Sequence, residues 1–253
     1  MDYYEQLLII CPLIFISGFV DSIAGGGGLI SLPAYHISGF SPHFSLGTNK
    51  FVSCIGTVFS TLRFVRNKNY NLTSAIPSIL FALIGAAGGA KIAVYLDAIV
   101  LRYILVFGIP VIAVIVFKKK NLEKRTPKNL SKTCIVIYSS IVGLIIGGYD
   151  GFFGPGTGTF LILIYTSVLG FDLLTSMGNA KLVNLASNLA SLVVFLFEGK
   201  VVFAIGIPAA FCAIAGHYIG SGFAIKKGQK IVRPMLLFVL ALLLAKLIAD
   251  LFG

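Results

Sequence analysis

Asp21 is followed four residues on by Gly25-Gly26-Gly27-Gly28, and Asp150 by Gly154-Pro155-Gly156-Thr157-Gly158-Thr159. Runs of this kind interrupt helices. The helix that resumes after such a break offers free backbone N–H groups and a partial positive charge, the combination that binds an anion. Two lysines accompany the breaks, in Ser45-Leu46-Gly47-Thr48-Asn49-Lys50 and Ser176-Met177-Gly178-Asn179-Ala180-Lys181, each opening an apolar stretch. A lysine inside hydrocarbon costs about 2.5 to 3.5 kcal/mol on insertion scales, so it marks a function or a partner. The chemistry these residues can do together is anion binding. Gly25, Gly26, Gly27, Gly28, Thr48, Asn49 and Lys50 would form one half of the site. Gly154, Gly156, Thr157, Gly158, Thr159, Gly178, Asn179 and Lys181 would form the other. Asn184 and Asn188 follow Lys181 at three and seven residues, near the same helical face, and add polar groups.

Each feature also has a plainer reading. The glycine runs could be hinges for close helix packing, and the lysines could snorkel to the interface from a helix end. Asp21 and Asp150 are candidates for coupling or gating. Three roles stay open for them: pairing with Lys50 and Lys181, bonding the glycine-rich backbone, or taking a proton during transport. His36, His43 and His217 stand alone and read as interfacial or hydrogen-bonded histidines rather than a proton relay.

The elements that must position these residues are membrane helices. The chain is 57% hydrophobic and 11% charged, with a mean hydropathy of +0.97, whereas a soluble domain carries about 25% charge. Apolar stretches of about 15 to 22 residues recur from Leu7 to Phe252, near the roughly 20 needed to cross hydrocarbon, and leave no room for a soluble domain. The N-terminus has acids and no base before its first apolar run, so it is expected to stay in the mature fold rather than act as a signal peptide. The net charge of +11 does not indicate nucleic acid, because most of the basic residues fall into three loop clusters around Arg63, Lys118 and Lys226. Cys11, Cys54, Cys134 and Cys212 lie singly, so no metal site, disulfide framework or cofactor is indicated.

The two patterns belong to an internal duplication. An offset of 129 pairs Asp21 with Asp150 and Gly25 with Gly154; after a slip of two, an offset of 131 pairs Lys50 with Lys181, Phe64 with Phe195 and Pro77 with Pro208. Gly85 and Gly89 align in that register with Gly216 and Gly220, small residues spaced for close helix contact. The first half is expected to form helices over 6–20, 28–37, 48–62, 73–95 and 99–117, and the second over 132–149, 156–169, 179–197, 201–223 and 231–251. The fold class expected is an all-α polytopic membrane protein of two inverted repeats, each a glycine-broken helical hairpin plus three transmembrane helices. Residues 1–117 are the first repeat, 118–131 a basic cytoplasmic linker, and 132–253 the second repeat. Hairpins place all three basic clusters inside and both termini outside the inner membrane.

The motifs Gly-x-x-Asp-x-x-Ala-Gly-Gly-Gly-Gly and Leu-Gly-Thr-Asn-Lys, with Gly-Pro-Gly-Thr-Gly and Gly-Asn-Ala-Lys in the second half, resemble the sulfite exporter TauE/SafE family over essentially the whole chain. The resemblance implies transport of sulfur-containing or organic anions, and it covers at residue level only Asp21, Gly25 to Gly28, Thr48, Asn49, Lys50 and their counterparts. The second half lacks an Asn directly before Lys181. The function expected is a secondary transporter of a small anion, a sulfur oxyanion or an organic sulfonate or carboxylate, bound near the midplane. A channel, an intramembrane enzyme and a structural subunit are the alternatives; the absence of HExxH and GxSxG patterns speaks against the enzyme. The partners expected are the anion and the bilayer, with a homodimer left open and no nucleic acid.

Overall fold

The computed structural model describes residues 1–97, 99–100, 130–228, 230–232, 234–235 and 237–239. The helix expected beyond residue 100, the basic linker up to residue 129 and most of the helix expected over 231–251 lie outside the described residues. Among the described residues the chain is all helical. The helices are α1 (Tyr3–Ala24), α2 (Gly28–Ile37), α3 (Pro42–Arg66), α4 (Leu72–Tyr95), α5 (Lys132–Phe152), α6 (Thr157–Ser167), α7 (Leu173–Phe197) and α8 (Phe203–Lys227). Five of them, α1, α4, α5, α7 and α8, are long and apolar enough to cross a membrane. α3 has the length but not the apolarity, because it carries the polar run from Ser45 to Lys50.

Local signals set the helix starts. At α1, Asp2 accepts the Glu5 N–H at 2.8 Å while the Glu5 carboxylate accepts the Asp2 N–H at 3.1 Å, a reciprocal cap. Pro42 occupies the first turn of α3 after Ser41, a position where its missing N–H costs nothing. Asp172 caps α7 by accepting the Thr175 N–H at 3.0 Å. These caps start α3 and α7 at Pro42 and Leu173, six residues before the expected 48 and 179. Lys50 and Lys181 therefore do not open their helices. Each lies two turns inside, and both are buried. Likewise α1 and α5 run past the expected ends at 20 and 149, so Asp21 and Asp150 are helical residues near a C-terminus. α1 stops where Gly25 takes φ 77° and returns its N–H to the Asp21 carbonyl at 2.7 Å.

The helices pack across the chain. Gly216 and Gly220 of α8 lie against the backbone around Phe15 and Phe19 of α1, and Gly85 and Gly89 of α4 against Leu144 and Gly148 of α5. A Cβ at any of the four would overlap its neighbour, so these glycines allow the contact that their spacing predicts. Tyr3 Oη donates to the Ala204 carbonyl at 3.3 Å, which places the start of α1 beside the start of α8. The Ser74 and Ser139 hydroxyls, 2.7 Å apart, do the same for α4 and α5. α3 and α7 cross the centre in opposite senses: Gly47 abuts the Lys200 carbonyl just beyond α7, and Thr61 donates to the Lys181 carbonyl at 3.3 Å.

Candidate functional site

The two glycine breaks meet. Gly25 packs on Gly158, Gly28 on Pro155, and the Thr159 hydroxyl donates to the Ala24 carbonyl at 2.6 Å. Around this junction the aspartates and lysines pair crosswise. Lys50 Nζ of α3 lies 3.1 Å from Asp150 Oδ2 of α5, and Lys181 Nζ of α7 lies 2.6 Å from Asp21 Oδ2 of α1. Each half thus supplies the acid that neutralises the other half's lysine. This is the pairing role among the three left open for the aspartates, and it takes both lysines away from the snorkelling reading, since their side chains are only 2% exposed. Each carboxylate also accepts hydrogen bonds from its own half. Asp150 accepts from the Thr157 hydroxyl at 2.9 Å and the Ser187 hydroxyl at 2.5 Å. Asp21 accepts the Gly27 N–H at 3.3 Å, so the start of α2 already faces a carboxylate.

Between the pairs is a polar cavity of about 30 Å³, more than the ~10–15 Å³ that one water requires. Lys50, Asp21 and Asp150 bring charge to its wall, and Asn49, Asn184 and Asn188 bring amides. Ser17, Ser53, Gly27, Gly28, Gly154 and His217 complete it. Lys50 spends one donor on Asp150 and another on Asn188 Oδ1 at 3.1 Å. Asn49 differs from its neighbours: it is 7% exposed, and its side-chain oxygen has no hydrogen-bond partner. A buried amide without a partner is costly, and no bond fixes which of its ends faces the cavity.

Several expected site residues have other work. Thr48 accepts the Val202 N–H at 3.0 Å, and Asn179, its counterpart, accepts the Asn71 N–H at 2.9 Å. Val202 and Asn71 are the N-caps of α8 and α4, so both side chains anchor a helix start. Gly178 leaves room for the Asn69 carbonyl, as Gly47 does for Lys200. Gly25 and Gly158 make the contact between breaks, Gly26 abuts Val239, and Gly156 takes φ 79° ahead of α6. Thr157 and Thr159 donate to Asp150 and Ala24, and Lys181 Nζ is committed to the Asp21 carboxylate and carbonyl. None of these residues is on the cavity wall. Ser17 and Ser53 were not legible as wall residues, although the 131-residue offset relates Ser53 to Asn184 and could have found it. His217 is not an isolated histidine, since it borders the cavity and lies beside Asp21.

A family model described as sulfite exporter TauE/SafE matches residues 10–247. The chain belongs to that family. Among its relatives, the "Probable membrane transporter protein YfcA" of Escherichia coli (strain K12) is 35% identical, covering 100% of this chain and 96% of its own. The "Probable membrane transporter protein ORF9" of Sinorhizobium sp is 39% identical over 98% of this chain and 94% of its own. A "Probable membrane transporter protein" of Haemophilus influenzae is 33% identical over 99% of this chain and 98% of its own. No solved structure matches the chain. TauE/SafE proteins and these relatives are membrane transporters rather than enzymes. With five candidate spans among its described residues, this member is a multi-pass membrane protein.

Proposed function

We propose that the chain is a secondary transporter of a small anion, bound in the cavity between the two glycine breaks. The observation that carries this reading is the pairing of Lys50, two of whose three donors are engaged among the described residues, with Asn49, whose side-chain oxygen has no partner, on the wall of the same cavity. A polyatomic oxyanion supplies an acceptor for the third Lys50 donor and for the Asn49 amide nitrogen. The limited volume favours a compact head group, which a sulfur oxyanion, an organic sulfonate or a carboxylate provides. The site forms only when both halves are in place, because each lysine needs the other half's aspartate.

The architecture proposed is a pair of inverted repeats, 1–117 and 132–253, joined by a cytoplasmic linker at 118–131. Support comes from the antiparallel crossing of α3 and α7, helices that the 131-residue offset relates, and from the equivalent contacts of α1 with α8 and α4 with α5. In this reading both termini face outside the inner membrane, and the two breaks approach the centre from opposite faces. The test is uptake of labelled sulfite, methanesulfonate and small carboxylates into proteoliposomes, with and without a proton gradient. A carrier gives saturable uptake of at least one of them, inhibited by the others. Folded protein that moves none, or whose flux never saturates, overturns the reading.

A further inference from the structure

His217 breaks the likeness between the halves, because the residue 131 positions earlier is Ala86. Gly18 of α1 and Gly56 of α3 make space for its ring: a Cβ at either would come within 2.9 or 2.5 Å of His217 Cδ2. Ser60 Oγ of α3 lies 3.2 Å from Nδ1, and Nε2 lies 3.9 Å from Asp21 Oδ2, the oxygen that also holds Lys181. In the second half Ser187 stands where Gly56 stands in the first, and it donates a neutral hydroxyl to Asp150. One aspartate therefore has neutral donors and a lysine. The other has a lysine and a titratable imidazole.

The charges give this asymmetry a use. With Asp21, Asp150, Lys50 and Lys181 ionised and the imidazole neutral, the cluster sums to zero, so an entering anion adds negative charge that nothing offsets. In a site of low dielectric that imbalance is far costlier than in water. The charged groups around His217 are Asp21 from α1, Lys181 from α7 through the shared oxygen, and Lys50 of α3 and Asp150 of α5 across the cavity. Arg63 of α3 lies by the next residue of α8, but it is committed to the Tyr218 carbonyl at 2.6 Å and its ring at 4.5 Å. α2 brings only Gly27 and Gly28 to the wall, neither of them charged.

We propose that His217 is the proton-carrying residue of the anion site, so that one proton travels with each anion. With Nδ1–H directed at Ser60, the Nε2 lone pair takes a proton from water on the entry side and returns it to water on the exit side. The imidazolium formed on the cavity wall supplies the positive charge that the anion needs. The proposal rests on the anion-carrier reading.

Methanesulfonate and thiosulfate are suitable probes, because their own charge does not change near neutral pH. In proteoliposomes the wild-type protein is expected to accumulate at least one of them down a proton gradient, with protons entering alongside. His217→Gln leaves no imidazolium to offset the anion, so it is expected to lose gradient-driven accumulation and to slow gradient-free exchange as well. The exchange that remains is expected to be independent of pH on the acid side of neutrality, where the wild-type rate changes. Accumulation retained in His217→Gln overturns the proposal. Residual exchange in His217→Gln that keeps the wild-type pH dependence also overturns it, since another group would then carry the proton. Wild-type anion flux without proton movement overturns the coupling and leaves the carrier standing, whereas a wild type that moves neither probe overturns both. Should His217→Gln fail to insert, Ser60→Ala replaces it: a displaced pH midpoint supports the proposal and an unchanged one overturns it.

Discussion

Asp150→Asn removes the partner of a lysine whose side chain is 2% exposed, and what remains to Lys50 is one neutral acceptor, Asn188 Oδ1 at 3.1 Å. Breaking a buried pair in this way costs about 3 to 5 kcal/mol, because the surviving charge is left uncompensated. The reverse change is predicted to cost less. In Lys50→Met, Asp150 keeps the Thr157 and Ser187 hydroxyls at 2.9 and 2.5 Å, which limits the loss to about 2 to 3 kcal/mol. The double variant carries no unpaired charge and is predicted to fall within about 2 kcal/mol of wild type. The stability assay is reversible unfolding in mixed detergent and SDS micelles, run on all four proteins as a double-mutant cycle. Single losses that add to within about 0.5 kcal/mol would mean the pair does not interact, and the crosswise assembly of the site would be refuted.

Thr48→Val and Asn179→Leu are predicted to lower stability by about 1 to 2 kcal/mol each, by stranding the Val202 and Asn71 N–H groups, with anion affinity unchanged. Thermal shift and a binding titration on the same samples check this; an affinity loss without a stability loss would return both residues to the site. Cysteines placed at Lys68 and Lys227 are predicted to label from the cytoplasmic side, and one placed at Lys200 from outside, with an impermeant reagent. The reverse pattern would reject the inverted topology. Gly27→Val is predicted to deplete folded protein, because a Cβ there comes within 2.7 Å of Asp21 Cβ and 2.8 Å of the Ser17 carbonyl. Normal expression and unfolding of that variant would refute the packing.

Much of this architecture is legible in the sequence because rare residues repeat within it. Two aspartates, two lysines and two glycine runs in registers only two residues apart imply a duplicated unit, and the paired Gly-xxx-Gly spacings mark two helices that make close contacts. Three things were less legible. The helix starts were missed because the caps at Ser41-Pro42 and Asp172 precede the apolar runs, so hydropathy alone placed the lysines at helix ends. The crosswise pairing was open because spacing along the chain says nothing about which acid meets which lysine. The wall residues Ser17, Ser53 and His217 escaped because a search for repeated residues passes over positions that differ between halves. That same search singled out Thr48 and Asn179, whose equivalence in the structure is that each anchors a helix start.

The central claim is that an anion binds in the cavity, and Asn49→Ala tests it most directly. Ala180 is the natural counterpart of Asn49, and the Asn49 side-chain oxygen has no hydrogen bond to lose. The substitution is therefore predicted to leave unfolding unchanged or slightly more resistant. It removes a donor to a charged ligand, worth about 1.5 to 3 kcal/mol, so the half-saturating concentration for sulfite or methanesulfonate is predicted to rise about 10- to 100-fold. Unchanged affinity and flux in a folded Asn49→Ala protein would contradict the assignment of this cavity as the anion site.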